Sequence, residues 1–129
     1  MLTSVIAVAS GGAFGAVARF LTITAAQLLF SGRFPLGTLL VNCLGSFLIG
    51  LFMSLYMERL ADVEHWRLLI VVGFLGGYTT FSTYAWETWA LYMNGQWLMA
   101  MLNILFNNVF TIILVILGML LGRYTGGIK

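Results

Sequence analysis

The sequence predicts an all-α integral membrane protein with four transmembrane helices. Of its 129 residues 61% are apolar, while six are basic and four are acidic. The mean hydropathy of +1.02 lies far above that of water-soluble domains. Four apolar runs, at 2–29, 36–57, 66–92 and 97–121, each meet the roughly 20 residues that a helix needs to cross a bilayer about 30 Å thick. Little chain remains between them, so we expect a single transmembrane domain over 1–129 whose activity resides within the helices.

The first segment combines two glycines one helical turn apart with an arginine well inside the span. Gly11 and Gly15 share a helix face, which lets another helix approach closely. Arg19 follows one turn later, at a depth where exposing its guanidinium to lipid would be costly. We therefore expect Arg19 to face protein, a vestibule or the membrane interface. A structural ion pair or carbonyl contact and an attraction for anions both fit this pattern.

Segments two and four each carry a polar helical face. Their polar and small residues recur at intervals of one or two helical turns, so they lie on one side of each helix. Both faces should look inward, either as hydrogen-bonding contacts between helices or as a track for water or an ion. The residues concerned are Thr38, Asn42, Gly45 and Ser46 in segment two, and Asn103, Asn107 and Thr111 in segment four.

The third segment is predicted to be broken at Gly76–Thr80. Each of the two adjacent glycines, Gly76 and Gly77, costs roughly 1 kcal/mol of helix stability relative to alanine, and hydroxyl residues follow. A break at membrane depth must be buried in protein or must line a polar cavity or an ion site. The alternative is a close-packed helix crossing, for which glycines and other small residues are also suited.

Aromatic and acidic side chains follow the predicted break. Phe81 and Tyr84 lie on one helix face, and the positive edge of an aromatic ring favours an anion without a mobile charge. Glu87 is the only carboxylate within a predicted span. It is either a proton-coupled group or the partner of a cation such as Arg19.

Charge distribution indicates an orientation in the membrane, and the residue types present argue against a disulfide, an enzyme site and a nucleic-acid partner. Near the span ends, the positive charges of one side (Arg59, Arg67, Arg123 and Lys129) outnumber Arg33 on the other, which favours cytoplasmic termini. The single cysteine, Cys43, excludes an intrachain disulfide. The sequence shows neither a metal-ligand cluster nor a nucleophile–base pair, so we do not expect an enzyme. The net charge of +2 gives no reason to expect nucleic acid as a partner.

Three stretches resemble the signature of the Fluc (CrcB) fluoride channels. The most specific is Gly73-Phe74-Leu75-Gly76-Gly77-Tyr78-Thr79-Thr80-Phe81-Ser82-Thr83. It is accompanied by Gly11-Gly12-(x)2-Gly15-(x)3-Arg19 in segment one and by Gly37-Thr38-Leu39-(x)2-Asn42 in segment two. The order, spacing and four-span layout of this family agree across essentially the whole chain.

The resemblance implies an antiparallel, dual-topology homodimer in the lipid of a bacterial inner membrane, with two fluoride pores. A sodium ion would lie at the dimer interface on the backbone carbonyls of Gly76 and Thr79, and Arg19 would lie near a vestibule. The implied function is passive fluoride export that lowers cytoplasmic fluoride toxicity. The expected pore residues are Thr38, Asn42, Phe81, Ser82, Thr83, Tyr84, Asn103, Asn107 and Thr111.

Two positions depart from the family pattern. Tyr84 replaces a second phenylalanine, and its hydroxyl would either donate to fluoride or crowd the pore. Segment four has asparagines where hydroxyl or tyrosine side chains are expected. An alternative function is a small, dimeric, proton-coupled exporter of drugs or guanidinium. Such an exporter would have to use Glu87, because the first span contains Arg19 and no acid.

Overall fold

The computed structural model, which describes residues 1–59 and 64–126, confirms the four-span prediction. Within these residues, four helical stretches are long and apolar enough to cross a membrane. The third of them, between Glu64 and Met93, is built from several pieces. The uninterrupted helices are α1 (Leu2–Leu29), α2 (Leu36–Arg59) and α6 (Trp97–Gly126). The last helix extends beyond the predicted end at 121.

The third span is interrupted inside the predicted region. Its helical pieces are α3 (Glu64–Trp66), a π-helical segment (Arg67–Leu75), α4 (Gly76–Tyr78) and α5 (Phe81–Met93). Between α4 and α5 the backbone is extended, with φ −81° and ψ 160° at Thr79 and φ −152° and ψ 121° at Thr80. The break therefore exists, but it is confined to these two threonines.

The two glycines before the break are helical, so the prediction that they would help to interrupt the helix is wrong. Gly76 has φ −63° and ψ −36°. Gly77 instead serves the crossing with α1, because a Cβ there would lie 2.6 Å from the carbonyl oxygen of Gly12. Gly11 and Gly15 are buried in the same crossing, against the backbone of the third span. Close packing, the alternative for this stretch, is what the structure shows for Gly77, whereas Gly76 is exposed and has no neighbour closer than 3.9 Å to the position of a Cβ.

Helix α6 packs closely along α2, again through glycines that lack a Cβ. A Cβ on Gly118 would overlap the carbonyl oxygen of Phe47, and a Cβ on Gly50 would overlap that of Val115. This contact brings the polar faces of α2 and α6 together beside α5. As a result the most buried side chains include two polar ones: Asn103 is 0% and Thr38 1% exposed. The polar core adjoins the break in the third span.

Candidate functional site

Asn42, on α2, holds the extended backbone of the break. The backbone N–H of Thr80 donates to Asn42 Oδ1 over 2.8 Å, and Asn42 Nδ2 donates to the Thr80 carbonyl oxygen over 3.0 Å. The carboxamide thus satisfies both backbone groups of Thr80, as a neighbouring β-strand would. The sequence left open whether the Asn42 amide bonds another helix or a ligand or water track, and in this structure it bonds the backbone of the break.

A chain of amide hydrogen bonds continues from Asn42 into α6 and α5. Asn42 Nδ2 also donates to Asn107 Oδ1 over 3.0 Å, and Asn107 Nδ2 donates to Asn103 Oδ1 over 2.9 Å. Asn103 Nδ2 then donates to Thr88 Oγ1 over 2.9 Å. Asn103 and Asn107 are 0% and 5% exposed. Buried amides require such partners, so this ladder fixes α2, α5 and α6 relative to each other.

Thr80 also starts the helix that follows the break. As the N-cap of α5, its Oγ1 accepts the backbone N–H of Thr83 over 3.3 Å. The same hydroxyl donates to Thr83 Oγ1 over 3.0 Å and lies 3.4 Å from Ser82 Oγ. Ser82 and Thr83 therefore belong to a small hydroxyl cluster at the start of α5. Threonine is a favoured N-cap residue, and its place directly before the helix was a signal that sequence reasoning did not use.

Arg19 reaches the break from the side of α1. Its Nη1 donates to the carbonyl oxygen of Thr79 over 3.2 Å. The backbone N–H of Thr79 donates to the carbonyl of Leu75 over 3.0 Å, as in a helix. The structure therefore places Arg19 on a backbone carbonyl, which was one of the two readings left open by the sequence.

The break opens onto a groove of about 320 Å³. Five of the predicted pore residues line it together, and so do Gly76 and Thr79, the two predicted sodium ligands. Among the described residues the walls present amides, hydroxyls, rings and apolar groups, with no charged side chain. The predicted pore residues on the walls are Asn42, Phe81, Tyr84, Asn107 and Thr111, and Asn108 joins them.

Phe81 and Tyr84 form the aromatic part of the wall. Their rings pack edge to face, with centroids 5.3 Å apart and an interplanar angle of 65°. Tyr84 is buried, whereas Phe81 is 78% exposed in the single chain. The ring of Phe81, at the outer edge of this wall, is therefore not covered by the rest of the chain.

Four of the predicted pore residues do not line this groove: Thr38, Ser82, Thr83 and the fully buried Asn103. Thr38 Oγ1 donates to Glu87 Oε1 over 2.8 Å, and both residues line a separate cavity of about 190 Å³ that also includes Arg33. Asn103 lies behind Asn107 and holds its amide. The sequence missed Asn108, whose Nδ2 lies 3.2 Å from the hydroxyl oxygen of Tyr84. Its position next to Asn107 was the only sequence signal, because it falls off the polar stripe.

Four helical stretches of membrane-spanning length and composition, with an uncharged groove at the break in the third, define an integral, multi-pass membrane protein. Residues 6–119 match the family model of "CrcB-like protein, Camphor Resistance (CrcB)". The chain belongs to this family, as its resemblance to the Fluc (CrcB) signature implies.

Several relatives carry the name fluoride-specific ion channel FluC. The relative from Legionella pneumophila strain Philadelphia 1 is 44% identical over 119 residues, covering 92% of this chain and 89% of its own. The relative from Aquifex aeolicus is also 44% identical over 119 residues, covering 92% and 96%. The relative from Solibacter usitatus is 49% identical over 98 residues, covering 76% and 80%.

Proposed function

We propose that this chain is a fluoride-selective ion channel that lets fluoride leave the cell passively and so reduces its toxicity. The observation that carries the proposal is the groove at the break, where amide, hydroxyl and ring-edge groups meet without a charged side chain. The names of the relatives identify the ion. These names describe ion channels rather than enzymes, and the four apolar spans place this channel in a membrane, which in a bacterium is the inner membrane.

A fluoride ion in this groove exchanges its water shell for weak donors that do not trap it. Asn42 enters this exchange with both amide hydrogens engaged, one with Thr80 and one with Asn107. The ion takes over the hydrogen that Asn42 gives to Asn107, because the bond to Thr80 holds the backbone. The ring edges of Phe81 and Tyr84 continue the path without a fixed charge.

The remaining predicted pore residues have different parts in the proposal. Thr111 lines the groove and gives its hydroxyl hydrogen to the carbonyl of Asn107, from which it can rotate toward an anion. Asn103 acts from behind by orienting Asn107, and Ser82 and Thr83 belong to the hydroxyl cluster at the start of α5. For Thr38, a place in the path rests on the family resemblance alone.

An antiparallel homodimer completes the groove in this proposal. Phe81 is 78% exposed beside the groove, and a second copy in the opposite orientation covers it and yields two equivalent pores. The charge bias near the span ends, four basic residues against one, favours a single orientation, so dual topology rests on the family resemblance. Membrane lipid covers the remaining apolar surface.

The carbonyls at the break fit a sodium ion at the centre of this dimer. The N–H of Thr80, which a continuous helix would pair with the Gly76 carbonyl, is bound to Asn42 instead. Gly76 is also exposed in the single chain, so its carbonyl is available. The Thr79 carbonyl accepts one bond from Arg19 and retains a second lone pair. Hard cations prefer such oxygen ligands, and the partner subunit would supply an equal pair.

The test is fluoride efflux from liposomes that contain the purified protein, followed with a fluoride electrode. We expect rapid efflux of fluoride and none of chloride, and at least a tenfold slower efflux from the Asn42→Ala variant, since both its donors are lost. Asn94→Ala is the matched control, because Asn94 is exposed and bonds only the carbonyl of Ala90 among the described contacts. Absence of efflux from well-folded wild-type protein would contradict the proposal.

A proton-coupled exporter is the second candidate, and Glu87 is the observation that favours it. This carboxylate lines the 190 Å³ cavity apart from the groove, and its Oε2 has no hydrogen-bond partner among the described residues. Glu87→Gln separates the candidates in the same liposomes under a proton gradient. Loss of cation antiport in a protein that never passes fluoride would favour the exporter.

A further inference from the structure

The hydroxyl of Tyr84 is held by a side chain that neither polar stripe includes. Asn108 lies on α6, one position after the last amide of the ladder. Its Nδ2 lies 2.7 Å from the carbonyl oxygen of Ile104 and 3.2 Å from the hydroxyl oxygen of Tyr84. Both Asn108 and Tyr84 line the groove.

These two contacts determine which partner donates. A backbone carbonyl oxygen can only accept, so the nitrogen of the Asn108 carboxamide, and not its oxygen, must face Ile104. The same nitrogen faces the phenol, and an amide nitrogen donates but does not accept. The oxygen of Tyr84 is therefore the acceptor, and its own hydrogen points away from Asn108.

This leaves Tyr84 different from most other donors in the groove. Both amide hydrogens of Asn42 are engaged, Asn107 donates to Asn103, and Thr111 donates to its own helix. Among the donors on the wall, only the hydroxyl hydrogens of Tyr84 and Ser46 have no acceptor within the described residues.

The position of the Tyr84 hydroxyl is also fixed by its surroundings. The side chain is only 8% exposed, and its ring packs edge to face against Phe81. The backbone carbonyl of Tyr84 accepts the hydroxyl hydrogen of Thr88 over 2.8 Å, which links it to the end of the amide ladder. A donor held in this way needs little reorganisation when an anion arrives.

We propose that Asn108 turns the Tyr84 hydroxyl into a ready donor for the fluoride ion in the groove. Asn108 acts as a positioning residue, and Tyr84 contacts the ion. This inference rests on the proposed function, and it assigns a use to the tyrosine that departs from the family pattern. The hydrogen bond from an O–H group to an anion is short and strong, so such a donor favours a small, strongly accepting anion over a large one.

The experiment measures the fluoride concentration that gives half-maximal current through the reconstituted channel. We expect Tyr84→Phe to raise this concentration about tenfold, because one hydrogen bond to a charged group is lost. Asn108→Leu should raise it about threefold, since the hydroxyl loses its orientation but not its hydrogen. The double variant should match Tyr84→Phe, because Asn108 acts only through the hydroxyl.

The matched control is Tyr92→Phe, on the exposed side of the same helix, where the ring stacks on Trp89. It should leave the half-maximal concentration unchanged. Asn108→Ala serves in place of Asn108→Leu if the latter does not assemble. Fluoride current in the wild type with no shift in Tyr84→Phe, or with additive effects in the double variant, would overturn the inference. Absence of wild-type current would instead contradict the proposed function.

Discussion

Asn42 should stabilise the fold as well as line the groove, and Asn42→Ala measures this contribution. The change leaves three polar groups without their partner: the N–H and the carbonyl of Thr80, and Oδ1 of Asn107. Thr80 and Asn107 are 7% and 5% exposed. A buried polar group without a partner costs about 1–3 kcal/mol. Because the groove can admit water, the low end applies to each group, and the free energy of unfolding should fall by about 3 kcal/mol.

The assay is unfolding of the detergent-solubilised protein by increasing amounts of a denaturing detergent. The exposed Asn94→Ala variant should stay within about 0.5 kcal/mol of wild type. A double variant with Asn107→Ala should lose less than the sum of the single variants, because the two side chains share a hydrogen bond. If Asn42→Ala were as stable as Asn94→Ala, the clamp on Thr80 would not hold the break, and the reasoning would fail.

Two further substitutions test the packing and the second polar contact. Gly15→Ala places a methyl group against the backbone carbonyl of Phe74 and should lower the free energy of unfolding by more than about 2 kcal/mol. Gly12→Ala is the control. The nearest atom to its new methyl group lies 3.9 Å away, so the free energy of unfolding should change by less than about 0.5 kcal/mol. Equal melting temperatures would contradict this. Thr38→Val removes the donor to Glu87 and should cost about 1–2 kcal/mol. Thr38→Ser keeps that donor and loses only one buried methyl group, so it should cost about 0.8 kcal/mol. A Thr38→Val variant as stable as wild type would refute the role of this bond.

The four spans could be predicted because hydrophobic length leaves few alternatives. A run of about 20 apolar residues has to be helical in a bilayer, where every backbone group must be bonded internally. The ends of the helices are set by weaker effects, so the last helix continues to Gly126 rather than ending at 121.

The break could be predicted only as a region. Glycine weakens an isolated helix, yet Gly76 and Gly77 are both helical, and Gly77 provides the surface without Cβ that the crossing with α1 requires. The helix is interrupted at Thr79 and Thr80 because Asn42 and Arg19 supply hydrogen-bond partners for the backbone of these two residues. Those partners come from other helices, so local propensity could not locate the break.

The polar stripe of α6 illustrates a second limit. An α-helix turns by about 100° per residue, so steps of four residues drift by about 40° each. Asn103 and Thr111 consequently differ by about 80° in direction, although both fit the stripe. Asn103 is fully buried behind the groove, whereas Asn107 and Thr111 both line it. The spacing identified the face, and the drift explains why its members have different surroundings.

In the proposed channel, the partners of the break account for how an anion is attracted without being trapped. Arg19 is bound to the Thr79 carbonyl and does not line the groove, whose described walls are uncharged. Its positive charge would act through space, where attraction falls gradually with distance, and would raise the anion concentration near the break. Direct contacts with the ion would come from amides, a phenol and ring edges. A charged group in the wall would bind fluoride more tightly and slow its exit, whereas an arginine held outside the groove would allow both entry and release.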